Sequence, residues 1–193
     1  MPDLRLFIGL DLPPEIGRRI ERSLRPLVEG EDVRAYSHED MHVTLVFLGS
    51  WPESRLPALK AALQEEVRGL NAPELSISGT GAFPDFENPS VLWAGVEEDE
   101  ESVPGRLFAL HNRVRQAALM LGWRASSAER LRPFTPHVTL ARTKAGDPGA
   151  AYRRLRFDRS WLPVEVLLIE SRPDDPQERY RILHSLPLVV RPG

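Results

Sequence analysis

The tetrapeptide His-Val-Thr-Leu occurs twice in this chain, beginning at His42 and at His137. The two histidines are 95 positions apart in a sequence of 193 residues, close to half its length. In an extended strand, side chains two apart point to the same face. His42 therefore shares a face with Thr44, and His137 with Thr139. Val43, Leu45 and Phe47 take the other face of one strand, and Val138 and Leu140 that of the other, where they can anchor each strand in a core. Two lobes related by an approximate two-fold axis would bring two imidazoles and two hydroxyls around one pocket. Imidazole titrates near neutral pH, so one ring can act as a base while its partner carries a proton. A phosphodiester needs both, a base for the attacking oxygen and an acid for the leaving oxygen on opposite sides of phosphorus. Threonine hydroxyls can donate to the non-bridging oxygens, where charge gathers. No metal is required.

Either copy alone is ordinary strand-forming sequence; the pairing at half-length spacing carries the weight. A zinc site is the competing chemistry and needs a third ligand. His38 precedes His42 by four residues, but "SHED" reads as a turn, which denies it helical i, i+4 geometry. His111 lies among Leu107 and Val114 on a helix stripe and is expected to be structural. His184 shares a strand face with Ile182 and Leu186 and is expected to be partly buried. A non-catalytic nucleotide- or RNA-binding module is the reading from a different class. It does not call for two titratable groups.

The elements that must position these residues can be read from periodicity. Strands are predicted over 5–12, 42–49, 74–83, 91–96, 136–142, 163–171 and 179–190. Helices are predicted from Pro14 to about Val28, over about 55–70 with Ser54 as N-cap, and over about 103–121. The acids of "EEDEES" (97–102) suit the positive start of that third helix. Strand, helix, strand, helix, strand in the first half is largely repeated in the second. Outside the tetrapeptide the halves share little identity. Strands outnumber helices and short turns join several, which predicts an α+β fold of largely antiparallel sheet. Residues 1–193 read as one bilobal domain, with one motif in each half.

Composition bounds the function. The chain is 41% hydrophobic and 27% charged, has no cysteine, and has a net charge of −3. That excludes a disulfide framework and a thiolate nucleophile, and argues against bulk electrostatic coating of nucleic acid. No apolar run is long enough to span a bilayer, and the N-terminus lacks signal-peptide character. A cytoplasmic protein without membrane attachment is expected. Residues 1–96 carry a net charge of −6 and residues 97–193 a net of +3. Nine basic residues fall within 124–159 against three acidic ones, a local excess around the second motif that could hold an anion. On charge alone it reads as a solvated surface.

These residues resemble the 2H phosphoesterases, named for two His-x-Thr/Ser motifs. Within them the resemblance is to the bacterial and archaeal RNA 2′,3′-cyclic phosphodiesterases, historically called 2′-5′ RNA ligases. "RLFIGLDLPPEI" is similar to the family's opening strand and helix, and "MHVTLVFLGS" to its first motif. "GAFPDFENPSVLWAGV" is similar to its central segment, "PFTPHVTLAR" to its second motif, and "VEVLLIESRPDDPQERYRILHSLPL" to its closing strands. The resemblance implies two pseudo-symmetric lobes with outer helices around a central cleft. It implies cofactor- and metal-independent hydrolysis of RNA or nucleotide 2′,3′-cyclic phosphates to 2′-phosphates, with ATP-independent 2′-5′ joining as the reverse reaction. It makes His42 and His137 the catalytic pair and Thr44 and Thr139 phosphate ligands. His42 is assigned as the acid that protonates O3′, and His137 as the base that activates water. A monomer suffices.

One departure stands out. Many relatives carry arginine directly before the Pro-His of the second motif, where this chain has Thr135. Arg130 or Arg132 from the preceding loop could substitute. Arg142 ends the motif as in relatives, but strict alternation puts it on the face of Val138 and Leu140. It reaches the cleft only if the strand bends. Tyr36, Phe83, Phe86 and Trp93 are candidates for base stacking, with core packing as their expected role.

Overall fold

A computed structural model describes residues 3–27, 32–99, 105–125, 133–144, 149–157, 159–175 and 177–190. Nine strands form one sheet: β1 (Asp3–Asp11), β2 (Val33–Ala35), β3 (His42–Pro52), β4 (Leu75–Phe83), β5 (Val91–Glu98), β6 (His137–Thr143), β7 (Ser160–Trp161), β8 (Glu165–Ser171) and β9 (Tyr180–Pro187). Among the described residues the α-helices are α1 (Pro14–Leu24), α2 (Leu56–Val67), α3 (Arg106–Met120) and the short α4 (Gly149–Arg153). The expected α+β class holds. The strands β2 and β7 and the helix α4 carry no clear periodicity and were not expected. None of the described helices is long and apolar enough to cross a membrane.

The strand order is β7-β4-β5-β6-β3-β1-β8-β9, with β2 paired to β6 off that path, and the strand pairs are antiparallel. The two motif strands lie at the centre and meet at Val43 opposite Val138. Outward from that pair the order runs β3-β1-β8-β9 on one side and β6-β5-β4-β7 on the other. A pseudo-two-fold axis thus passes through the valine pair. The two sides of the sheet are not the sequence halves: β4 from the first half lies on the side of His137, and β8 and β9 return to the side of His42.

Hydrophobic burial explains the layering. Val43, Leu45, Val46, Val138, Leu140 and Ala141 are buried with Leu6, Ile8 and Leu10 of β1 in the main core. Ile16, Ile20 and Leu24 of α1, Leu59, Leu63 and Val67 of α2, and Leu107, Leu110 and Val114 of α3 cover it. Each such side chain contributes roughly 1.5–3 kcal/mol when fully buried. Ser54 is not the cap of α2: a 3-10 turn at Glu53–Arg55 precedes the helix, and Arg55 holds the cap position without a side-chain bond. Glu98 accepts the backbone N–H groups of Gly105 and Leu107 at 2.8 and 3.0 Å, so an acid does serve the start of α3.

Gly9 sits opposite Thr44, beside the site. A Cβ there would lie 2.7 Å from the carbonyl oxygen of Val43 and 3.7 Å from the ring of Phe7. The carbonyl belongs to the central strand and cannot move aside. Gly9→Ala is therefore expected to cost about 1–3 kcal/mol, as overpacking does, measured as a lower urea midpoint at unchanged m-value.

Candidate active site

The two motif strands carry the same irregularity. In β3 the register passes from Ile8–Val46 to Gly9–Thr44, leaving Leu45 as an extra residue. In β6 it passes from Leu92–Ala141 to Trp93–Thr139, leaving Leu140 extra. Both strands show the same alternation of buried and accessible positions over their first seven residues. A β-bulge shifts the side-chain phase by one residue. Leu45 and Val46 consequently both face the core, as do Leu140 and Ala141. Phe47 and Arg142 turn out onto the face of the histidines and threonines. This corrects two expectations: Phe47 does not anchor the core and is 38% exposed, and Arg142 reaches the cleft face because the strand bends at the bulge.

The imidazoles are held in the same way. His42 Nδ1 is 2.8 Å from the carbonyl oxygen of Asp40, two residues before it. His137 Nδ1 is 2.7 Å from the carbonyl oxygen of Thr135, again two residues before. A carbonyl only accepts, so each Nδ1 donates and each Nε2 of the neutral ring keeps a free lone pair. Thr135 thus contributes its backbone carbonyl to the orientation of His137.

Aromatic rings brace both imidazoles. Phe7 stacks on His42 with ring centres 4.6 Å apart, and Tyr180 meets it edge-on at 5.0 Å. Phe83 meets His137 edge-on at 5.1 Å, and Trp93 lies tilted at 5.9 Å. Phe83 and Trp93 therefore pack against His137. Phe86 packs against the buried Tyr152, whose hydroxyl donates to the carbonyl oxygens of Gly81 and Trp93.

Burial pushes the pKa of His42 down to about 4, and the neighbouring charges of His137 and Arg179 push the same way. Burial also lowers His137. The pairing of Val43 with Val138 places the two histidines on neighbouring strands. Both are neutral at neutral pH in the free protein. Thr44 and His137 line a cavity of about 510 Å³ together with Phe47, Phe83, His111 and Phe134. His42 lines a second one of about 430 Å³ with Asp11, Arg18 and Tyr180. Thr139 shares the His137 face of β6 and stands opposite Trp93.

The remaining candidates sort by contact. His38 lies in a 3-10 turn and bonds Glu21 at 2.8 Å. His111 bonds the carbonyl oxygen of Leu45 at 2.8 Å and stacks on Phe134. Among the described residues no group of three His, Asp or Glu side chains is placed to hold a metal ion. Arg130 and Arg132 lie outside the described residues. Arg179 was missed: it sits in the charged turn "PDDPQER", where nothing local marks it.

Comparison with known proteins agrees with this geometry. A model of the 2'-5' RNA ligase superfamily matches residues 12–172. An RNA 2',3'-cyclic phosphodiesterase of Archaeoglobus fulgidus is 32% identical over 148 residues, 77% of each chain. One of Geobacillus stearothermophilus is 30% identical over 191 residues, 96% of this chain, which spans 58% of that relative's length. The crystal structure of E. coli LigT complexed with 3'-AMP superposes with a TM-score of 0.75 at 25% identity, covering 96% of this chain and 98% of that one. With its two bulged His-Val-Thr-Leu strands at the centre of the shared fold, the chain belongs to the 2'-5' RNA ligase superfamily.

Proposed function

We propose that this protein hydrolyses 2′,3′-cyclic phosphate ends of RNA to 2′-phosphate ends with His42 and His137 as its acid–base pair. The observation that carries the reading is the matched Nδ1 donation on two strands paired at Val43 and Val138, which leaves the Nε2 lone pair of each neutral ring for proton transfer. His137 Nε2 takes a proton from water as its oxygen attacks phosphorus, and the P–O3′ bond breaks in line. His42 gives its proton to O3′. The hydroxyls of Thr44 and Thr139 donate to the non-bridging oxygens. No step passes through a metal or cofactor. Run backward with a 5′-hydroxyl in place of water, the same steps would join RNA ends.

His42 is neutral in the free protein, so its role as acid has a condition. The phosphate anion must offset its burial and the charge of Arg179 and lift its pKa on binding. One chain supplies both rings, so a single bilobal unit acting as a monomer suffices. We assign it to the cytoplasm on its cysteine-free composition.

The test is turnover of a nucleoside 2′,3′-cyclic phosphate in EDTA as a function of pH. The productive free enzyme carries one proton on the pair. Since kcat/KM reports free-enzyme groups, it should rise as pH climbs through the lower histidine value and fall as pH passes the higher one. His42 lies at about 4 and His137 below 6.5. Both limbs should therefore lie on the acid side of ordinary imidazole, with the kcat profile displaced to higher pH by the bound anion. The product should be the 2′-phosphate. Binding without turnover would favour the non-catalytic module, and loss of turnover in EDTA would favour zinc.

A further inference from the structure

Beside the histidine pair, two arginines from different parts of the chain converge on one tyrosine, and a third stands across a strand pair from one of them. Arg142 Nε donates to Tyr36 Oη at 3.3 Å, and Arg179 Nη2 donates to the same oxygen at 3.4 Å. The Arg179 guanidinium lies over the Tyr36 ring at 4.6 Å and near the Tyr180 ring at 5.8 Å. The backbone N–H of Tyr36 donates to Leu140, the bulge residue, at 2.8 Å. Arg34 stands directly opposite Arg142 across the β2–β6 pair, which puts their side chains on one face.

Like charges directly opposite on a sheet are destabilising. The nearby carboxylate of Asp40 is 4.0 Å from Arg179, too loose to neutralise the group. The arrangement makes sense once an anion lies on it. The cluster adjoins the reacting gap on both sides: Arg142 is on the Thr139 face of β6, and Tyr180 packs against His42. The gap already has its own phosphate ligands. In an RNA end, the next anion is the phosphodiester on the 5′ oxygen of the terminal nucleoside.

Building on the reading above, we propose that Arg142 and Arg179, joined through Tyr36, form with Arg34 opposite Arg142 a second anion subsite for the phosphodiester one nucleotide upstream of the cyclic end. The substrate class is then an oligonucleotide end, preferred over a free nucleoside cyclic phosphate.

The experiment compares kcat/KM for a dinucleotide ending in a 2′,3′-cyclic phosphate with that for the corresponding nucleoside 2′,3′-cyclic phosphate. A third substrate is the dinucleotide with an uncharged methylphosphonate linkage. Charge-assisted hydrogen bonds of this kind are worth about 10–100-fold. Wild type should favour the dinucleotide by that factor and lose the preference with the methylphosphonate. In R179A the preference should collapse, and the methylphosphonate should cause no further loss. Y36F, which keeps the ring and removes the shared oxygen, should lower the preference partway. Equal losses on dinucleotide and mononucleotide in R179A would overturn the proposal, assigning the arginine to the scissile phosphate. So would a methylphosphonate that reacts as fast as the dinucleotide with wild type, a measurement needing no variant. If nothing turns over, the hydrolase reading fails alone. Calorimetric affinities for 2′-phosphate-terminated dinucleotides with the two linkages then decide the subsite, equal affinities overturning it.

Discussion

Replacing His42 or His137 by alanine is expected to lower kcat on a cyclic-phosphate dinucleotide by about 10²–10⁴-fold each. Because the two rings act on one transition state, the double variant should lose far less than the product of the single losses. The variants should remain folded, since each imidazole sits half-buried on the cleft face with its contacts to Phe7, Tyr180, Phe83 and Trp93. A leaving group that departs without a proton separates the roles. On a p-nitrophenyl phosphodiester, the variant lacking the acid should regain most of its activity and the variant lacking the base should not. Rescue of His42→Ala supports His42 as acid. Rescue of His137→Ala reverses the assignment, and rescue of neither removes proton transfer to the leaving oxygen from the mechanism.

Thr44→Val and Thr139→Val come next in size. Valine keeps the β-branched shape that suits these strands and removes only the donor. A hydrogen bond that strengthens as charge builds on the non-bridging oxygens is worth about 10²–10³-fold in kcat. The loss should fall mainly on kcat, with KM little changed. Thr→Ser at either position keeps a hydroxyl and should restore most of the rate. A rise in KM at constant kcat would instead make these hydroxyls simple ground-state ligands.

Much of this was legible along the chain. Valine and leucine around each histidine forced the strands to bury one face, and alternation then put threonine beside histidine. Pro14 and the apolar spacing of Ile16, Ile20 and Leu24 marked α1 for the same local reason. Short elements escaped because their pairing comes from elsewhere: β2 is three residues long and exists through its ladder to β6. Arg142 was misplaced because a bulge is a property of two strands in register, and one strand read alone alternates without interruption.

The repeated tetrapeptide by itself determined the candidate acid–base residue types and their pairing with threonine on one face of each strand, because strand periodicity is local. Only the tertiary structure decided where those faces go. The placement of β4 on the side of His137 and of β8 and β9 on the side of His42, the bulge that turns Arg142 outward, and the gathering of Arg179 beside Tyr180 and His42 all arise from contacts between residues far apart in the chain. Such contacts are settled by how the sheet closes its core, and no window of sequence contains them.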